Sequence, residues 1–123
     1  MPRTCLVVDP SPVVRRVARS IFETMQFQTR EAETGQEALQ TCEADMPDTI
    51  LLDGRLPTMS SLEVIGTLRA LPNGRKPHVI YCTTENDPSE LARALSAGAD
   101  DYVLKPFDRE SIRAKLTSPG LKS

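Results

Sequence analysis

The sequence predicts an α/β domain in which five strand–helix units build one five-stranded parallel sheet. Three observations lead there. Short apolar runs recur along the chain, each is too short to be a helix, and a helical pattern with its own start signal follows each one. Strands alternating with helices of this length are joined by right-handed crossovers, which makes the sheet parallel. A chain of 123 residues fits one domain and buries enough surface to need no covalent staples. The whole span, 1–123, is read as that domain.

The first run, Cys5-Leu-Val-Val8, is aliphatic and β-branched, as a strand covered on both faces should be. Ser11 caps the helix after it, and Pro12 takes the first helical position, where a missing N–H costs nothing. Val14, Ala18, Ile21, Phe22 and Met25 then fall at helical spacing. Phe27-Gln-Thr-Arg30 is more polar and suits an edge strand. Thr34 and Glu37 form a capping box ahead of Ala38, Leu39 and Cys42. Thr49-Ile-Leu-Leu52 is the third strand, and Ser60 and Glu63 form a second box ahead of Leu62, Ile65 and Leu68. Val79-Ile-Tyr-Cys82 is the fourth strand. Asp87, Pro88 and Glu90 give cap, first and third positions of a helix carrying Leu91, Leu95 and Ala99, which Gly98 ends. Tyr102-Val-Leu104 is the fifth strand, Asp108 starts a last helix with Ile112 and Leu116, and Pro119-Gly120 stops it. The polar tail from Thr117 onward is expected to fray. With the polar second strand at an edge, the order becomes 2-1-3-4-5, the flavodoxin-like arrangement.

Composition excludes several classes. Fifteen basic against seventeen acidic side chains leave a charge of −2, without the basic surplus of a nucleic-acid module. No apolar run approaches the roughly 20 residues of a membrane span, and no signal-peptide pattern opens the chain, which points to the cytoplasm. Cys5, Cys42 and Cys82 are an odd number with no CxxC pair, and His78 is the sole histidine, so neither a disulfide framework nor a zinc site is encoded.

In an open parallel sheet, ligands bind beyond the carboxyl ends of the strands. The residues directly after the four central strands are Asp9, Asp53, Thr83 and Lys105. Two carboxylates, a hydroxyl and an ammonium thus converge on one rim. Carboxylates suit a hard cation such as Mg²⁺, a lysine and a hydroxyl suit phosphoryl oxygens, and an aspartate can form an acyl phosphate.

Leu6-Val-Val-Asp9, Ile50-Leu-Leu-Asp53 with Pro57, Cys82-Thr83 and Leu104-Lys-Pro-Phe107 together resemble the receiver domain of two-component response regulators, the CheY-like family. The resemblance covers essentially the whole chain. It implies that Asp53 accepts a phosphoryl group from a histidine kinase or phosphotransfer protein. It implies that Asp9, Asp53 and the backbone carbonyl of Arg55 hold Mg²⁺, and that Lys105 pairs with Asp53 or its phosphate. Thr83 would swing to the phosphoryl oxygen and Tyr102 would turn inward with it. The Lys105–Pro106 peptide would be cis. The output face would be the fourth helix, fifth strand and fifth helix, about residues 87–116, contacting a downstream protein and sometimes a second copy as a weak homodimer. On this reading the chain is a stand-alone switch and no enzyme beyond its own phosphorylation and dephosphorylation.

One departure bears on the chemistry. The family places a second acid directly after the first, and here Pro10 stands there. Fewer anionic ligands weaken Mg²⁺ binding, and less repulsion remains to raise the Asp53 pKa. An alternative reading follows: an atypical, phosphorylation-independent receiver acting as an adaptor or dimerisation module. Gly54 replaces a common apolar residue and is expected to loosen the backbone. Arg55 either covers a bound phosphoryl group or points to solvent. Thr84 narrows access to Asp53, and Ser60-Ser61 replaces a frequent Asp-Gly in a capping role. An aspartyl phosphatase would need an acid at Arg55, and a flavin carrier would need more N–H donors than Asp9-Pro-Ser-Pro12 offers.

Overall fold

The computed structural model describes residues 3–116. Five parallel strands alternate with five helices: β1 (Arg3–Val8), α1 (Pro12–Thr24), β2 (Phe27–Ala32), α2 (Gly35–Ala44), β3 (Thr49–Asp53), α3 (Ser61–Ala70), β4 (His78–Thr83), α4 (Pro88–Ala97), β5 (Asp101–Leu104) and α5 (Arg109–Leu116). The sheet order is β2-β1-β3-β4-β5, as expected. Strand β2 sits at an edge and runs two residues further than its apolar pattern indicated, because its backbone pairs with β1 as far as Val8↔Ala32.

Successive side chains of a strand point to opposite faces, so each central strand feeds two cores. Leu6, Val8, Ile50, Leu52, Val79 and Tyr81 pack under α2, α3 and α4 against Ala38, Cys42, Ile65, Leu68 and Leu91. Cys5, Val7, Leu51, Ile80, Cys82 and Val103 pack on the other face against Ala18, Phe22, Ile112 and Leu116 of α1 and α5. Phe22 meets Phe27 edge to face, with ring centroids 5.2 Å apart.

The helix starts follow their signals. The Ser11 hydroxyl accepts from Val14 N–H, and Ser60 and Glu63 complete a reciprocal capping box. At α2 only half of the expected box forms. Thr34 accepts from Glu37 N–H, but the Glu37 carboxylate takes the N–H of Glu33 at 2.7 Å, one residue outside the cap. Asp108 caps α5 through Ser111 N–H. Gly98 ends α4 with φ of 127°, a backbone that L side chains rarely adopt. Two expectations for α4 fail. Leu95 lies on the outer surface, 44% exposed, and Ala99 is buried in the connection after the helix rather than on it. The Pro119-Gly120 stop and the tail lie outside the described residues.

All three cysteines are free and buried. Burial pushes the Cys82 thiol up to about 12 and the Cys42 thiol up to about 11, and it raises Cys5 as well. At the amino end of the sheet, Arg69 donates to the carbonyls of Gly74, Pro77 and Gly98 and to the Asp100 carboxylate. That network closes the side of the molecule away from the candidate site.

Candidate functional site

Register brings the candidate residues together. Val8 pairs with Leu52 across β1 and β3, so Asp9 and Asp53 follow at the same level. Asp53 pairs with Cys82, and Thr83 pairs with Leu104, so Thr83 and Lys105 stand on the next two strands at that rim. The Lys105 N–H donates to the Thr83 carbonyl at 2.8 Å, which continues the ladder one residue past β5. The Lys105–Pro106 peptide is cis, as expected.

Lys105 reaches back between the two carboxylates. Its Nζ lies 2.8 Å from Asp9 Oδ2 and 2.8 Å from Asp53 Oδ1. The other carboxylate oxygens accept from backbone: Asp9 Oδ1 from Ser11 N–H at 2.8 Å, and Asp53 Oδ2 from Arg55 N–H at 3.3 Å. Both aspartates are buried, at 4% and 6% exposure. For Asp53, burial and the neighbouring Asp9 charge outweigh the Lys105 and Arg55 contacts, and the carboxyl is raised above the ordinary value. Burial alone would lower Lys105, but its hydrogen bonds to Asp53 and Asp9 prevail and raise it. The lysine is therefore held as a cation between two carboxylates, and the Asp53 oxygens are desolvated and more basic than those of a free aspartate.

Thr83 is part of the rim but does not touch Asp53. Its hydroxyl accepts from Glu85 N–H at 3.2 Å and faces Glu90 Oε1 at 3.5 Å. The Arg55 guanidinium takes the solvent-facing of its two expected positions, pairing with Glu85 at 2.5 Å, with both side chains more than 60% exposed. Tyr102 is half-buried, with the Lys115 ammonium 4.8 Å from its ring centroid.

Four functional neighbours escaped the sequence. Ser61, expected only near a cap, donates its buried hydroxyl to the Asp53 carbonyl at 2.6 Å and fixes the end of β3. The Arg15 guanidinium holds the Asp9 carbonyl at 2.7 Å while pairing with Glu31 at 2.6 Å. The Tyr81 hydroxyl donates to Glu90 Oε2 at 2.6 Å. Burial, then the Glu90 hydrogen bond and charge, then the Asp53 charge, raise the Tyr81 phenol. This pair gives Gly54 a steric reason that the sequence did not show. A Cβ at residue 54 would lie 2.6 Å from Tyr81 Oη and 3.2 Å from Glu90 Oε2, so the missing side chain is the space the tyrosine fills.

Two clefts border the site. One of about 390 Å³ runs between α3 and α4 and is lined by Gly54, Arg55, Tyr81, Glu85, Glu90 and Arg93 among others. The second, about 320 Å³ and almost wholly apolar, lies between α1 and the Lys105-Pro106-Phe107 turn, with Val13 69% exposed at its edge. Thr84 lines this second cleft, at the rim beside Lys105. No three His, Cys, Asp or Glu side chains cluster as a metal cage among the described residues. Mg²⁺, however, keeps several waters and binds through one or two carboxylates with phosphate oxygens. Asp9 and Asp53 are the oxygen donors that such a site requires, with Lys105 now between them.

A five-stranded parallel sheet in the order 2-1-3-4-5, with a lysine bridging two buried aspartates at its carboxyl rim, is the architecture of a receiver domain. The model of the response regulator receiver domain matches residues 5–117, and the chain belongs to that family, a component of two-component signalling. It is 38% identical over 111 residues to the transcriptional regulatory protein KdpE of Mycobacterium tuberculosis, covering 90% of this chain and 48% of that one. The chain thus spans about half the length of the first of the curated relatives it matches. It is 31% identical over 112 residues to the chemotaxis protein CheY of Halobacterium salinarum, covering 91% and 92% of the two chains. Among solved structures, the chemotaxis response regulator CheY4 of Vibrio cholerae superposes with a TM-score of 0.89 over 94% of this chain and 97% of that one; at 24% identity this likeness speaks to the fold. No described helix is long and apolar enough to cross a membrane.

Proposed function

We propose that Asp53 is the phosphoacceptor of a histidine kinase or phosphotransfer protein, and that its phosphorylation switches protein contacts made by α4, β5 and α5. The observation that carries this reading is the Lys105 ammonium, held 2.8 Å from both Asp53 and Asp9. An Asp53 oxygen attacks phosphorus, the P–N bond to the donor imidazole breaks, and the bonding pair stays on that nitrogen. The product is an acyl phosphate, which water later hydrolyses back to the carboxylate and inorganic phosphate. Lys105 neutralises charge that develops on the acceptor and the phosphoryl oxygens, the kind of electrostatic work that dominates phosphoryl transfer. Asp9, Asp53 and the Arg55 carbonyl would hold Mg²⁺, which supplies further charge neutralisation when bound; Pro10 in place of a second acid makes that binding weak. Thr83 follows the phosphoryl group, and Tyr102, on β5 within the output face, follows Thr83. The downstream target and any weak homodimer would meet that face, with no call on nucleic acid or membrane.

The test is intact mass after incubation with acetyl phosphate and Mg²⁺. A phosphoryl adduct on the wild type and none on Asp53→Asn supports the reading; no adduct with any phosphodonor overturns it. Pro10 favours a second reading, in which the same fold serves as a phosphorylation-independent adaptor. That reading falls if the wild type is phosphorylated efficiently.

A further inference from the structure

Glu90 reaches from α4 to the acceptor site. It occupies the third position of its helix, where a glutamate ordinarily turns back to the cap backbone. Here Asp87 does the capping, accepting from Ser89 N–H at 3.0 Å, and Glu90 turns inward. One oxygen accepts from Tyr81 Oη at 2.6 Å and the other faces Thr83 Oγ1 at 3.5 Å. Tyr81 and Thr83 are two apart on β4 and so share a face. The path between them and α4 is open because residue 54 has no side chain to fill it. The two arginines that line this cleft are engaged elsewhere, Arg55 with Glu85 and Arg93 with the Ser89 hydroxyl.

We propose that Glu90 is a positioning residue that ties the first turn of α4 to the acceptor site, through Tyr81 directly and Thr83 at longer range, and that added negative charge on Asp53 releases the tie. The tie rests on the geometry alone; its release rests on Asp53 being the acceptor. Two effects act in the same direction. Charge added to Asp53 repels the Glu90 carboxylate across a region where Tyr81 and Thr83 are buried and screening is weak. Phosphoryl oxygens also offer the Thr83 hydroxyl a charge-assisted acceptor, stronger than a contact at the far limit of hydrogen-bond distance. Losing Thr83 and repelled from Asp53, Glu90 would let the start of α4 move, at one border of the output face.

The experiment compares wild type, Glu90→Gln, Glu90→Ala and Gly54→Ala as isotope-labelled proteins. Without ligand, three-bond couplings report the Thr83 rotamer and amide exchange reports α4. In Glu90→Ala, which removes the acceptor, and in Gly54→Ala, whose Cβ displaces Tyr81 and Glu90, Thr83 averages between rotamers and α4 amides exchange about fivefold faster. Glu90→Gln keeps one oxygen to accept from Tyr81 and presents an amide N–H that donates to the Thr83 hydroxyl, and it matches wild type. Unchanged rotamer and exchange in both alanine variants overturns the tie. Beryllofluoride with Mg²⁺ is then added as the phosphoryl probe. Wild-type α4 exchange rises, and Glu90→Gln, with no charge to repel, responds at least about threefold less. An equal response in Glu90→Gln overturns release by charge. If the probe fails to bind wild type while the unliganded differences hold, the acceptor reading and the release both fall and the tie stands.

Discussion

Replacing Lys105 with methionine removes the cation from between Asp9 and Asp53 while keeping a stem of similar length. The two carboxylate oxygens each lie 2.8 Å from the ammonium, so they sit no more than about 5.6 Å apart, and their side chains are only 5% and 8% exposed. Two unit charges at that separation, with an effective dielectric constant of about 20, repel by about 3 kcal/mol. The lysine is itself 19% exposed, and solvent screening reduces the net loss to about 2 kcal/mol. Urea denaturation in the presence of EDTA measures it. The decisive comparison is the double variant Lys105→Met/Asp9→Asn. Asparagine keeps the oxygen that accepts from Ser11 N–H and removes one of the two like charges. If repulsion is the cause, the double variant recovers most of the lost stability. A double variant as unstable as Lys105→Met would refute the electrostatic account and leave lost packing in its place.

Three further outcomes follow from the same structure. Pro10→Asp supplies a third carboxylate at the rim and tightens Mg²⁺ binding at least about tenfold, equivalent to about 1.4 kcal/mol, by isothermal titration. Arg69→Met strips donors from three backbone carbonyls and the Asp100 carboxylate together, and lowers unfolding free energy by about 3 kcal/mol in urea while leaving the phosphoryl adduct proposed at Asp53 at its wild-type level. Glu31 is held below its ordinary value first by the Arg15 hydrogen bond and then by Arg19. A depressed carboxylate stabilises the fold above its unfolded-state pKa and loses that contribution as pH falls through the folded value. The stability gap between wild type and Glu31→Gln therefore shrinks on acidification below the ordinary glutamate range, read as converging thermal midpoints.

The frame of the site was legible because it depends on local signals. Each aspartate, the threonine and the lysine directly follows an apolar run, and the polar second strand fixes which end of the order it occupies. What the chain concealed was pairing through space. Tyr81 reads as one more residue of an apolar strand, yet a buried phenol needs an acceptor, and that requirement was the available signal. Glu90 reads as a helix-start residue because its position fits that role equally well, and only the cleft beside Gly54 decides which way its carboxylate turns. Glu37 carries the same ambiguity and takes a third course, bonding the residue before the cap. Leu95 matched the helical spacing set by buried Leu91, but the cover ends before it, and periodicity alone cannot say where a packed face ends. Ser61 was hidden by its neighbour: two serines in a row read as one capping signal, while one caps and the other holds the Asp53 carbonyl at the end of β3.

The three cysteine thiols carry a practical consequence. Each is enclosed within a core, and burial holds each thiol in its protonated form at neutral pH. A maleimide reagent meets no reactive native site on the folded domain. One cysteine introduced on the outer face of the fourth helix, for example at Leu95, would therefore be labelled alone, and a fluorophore there could report movement of that helix without first removing the native residues.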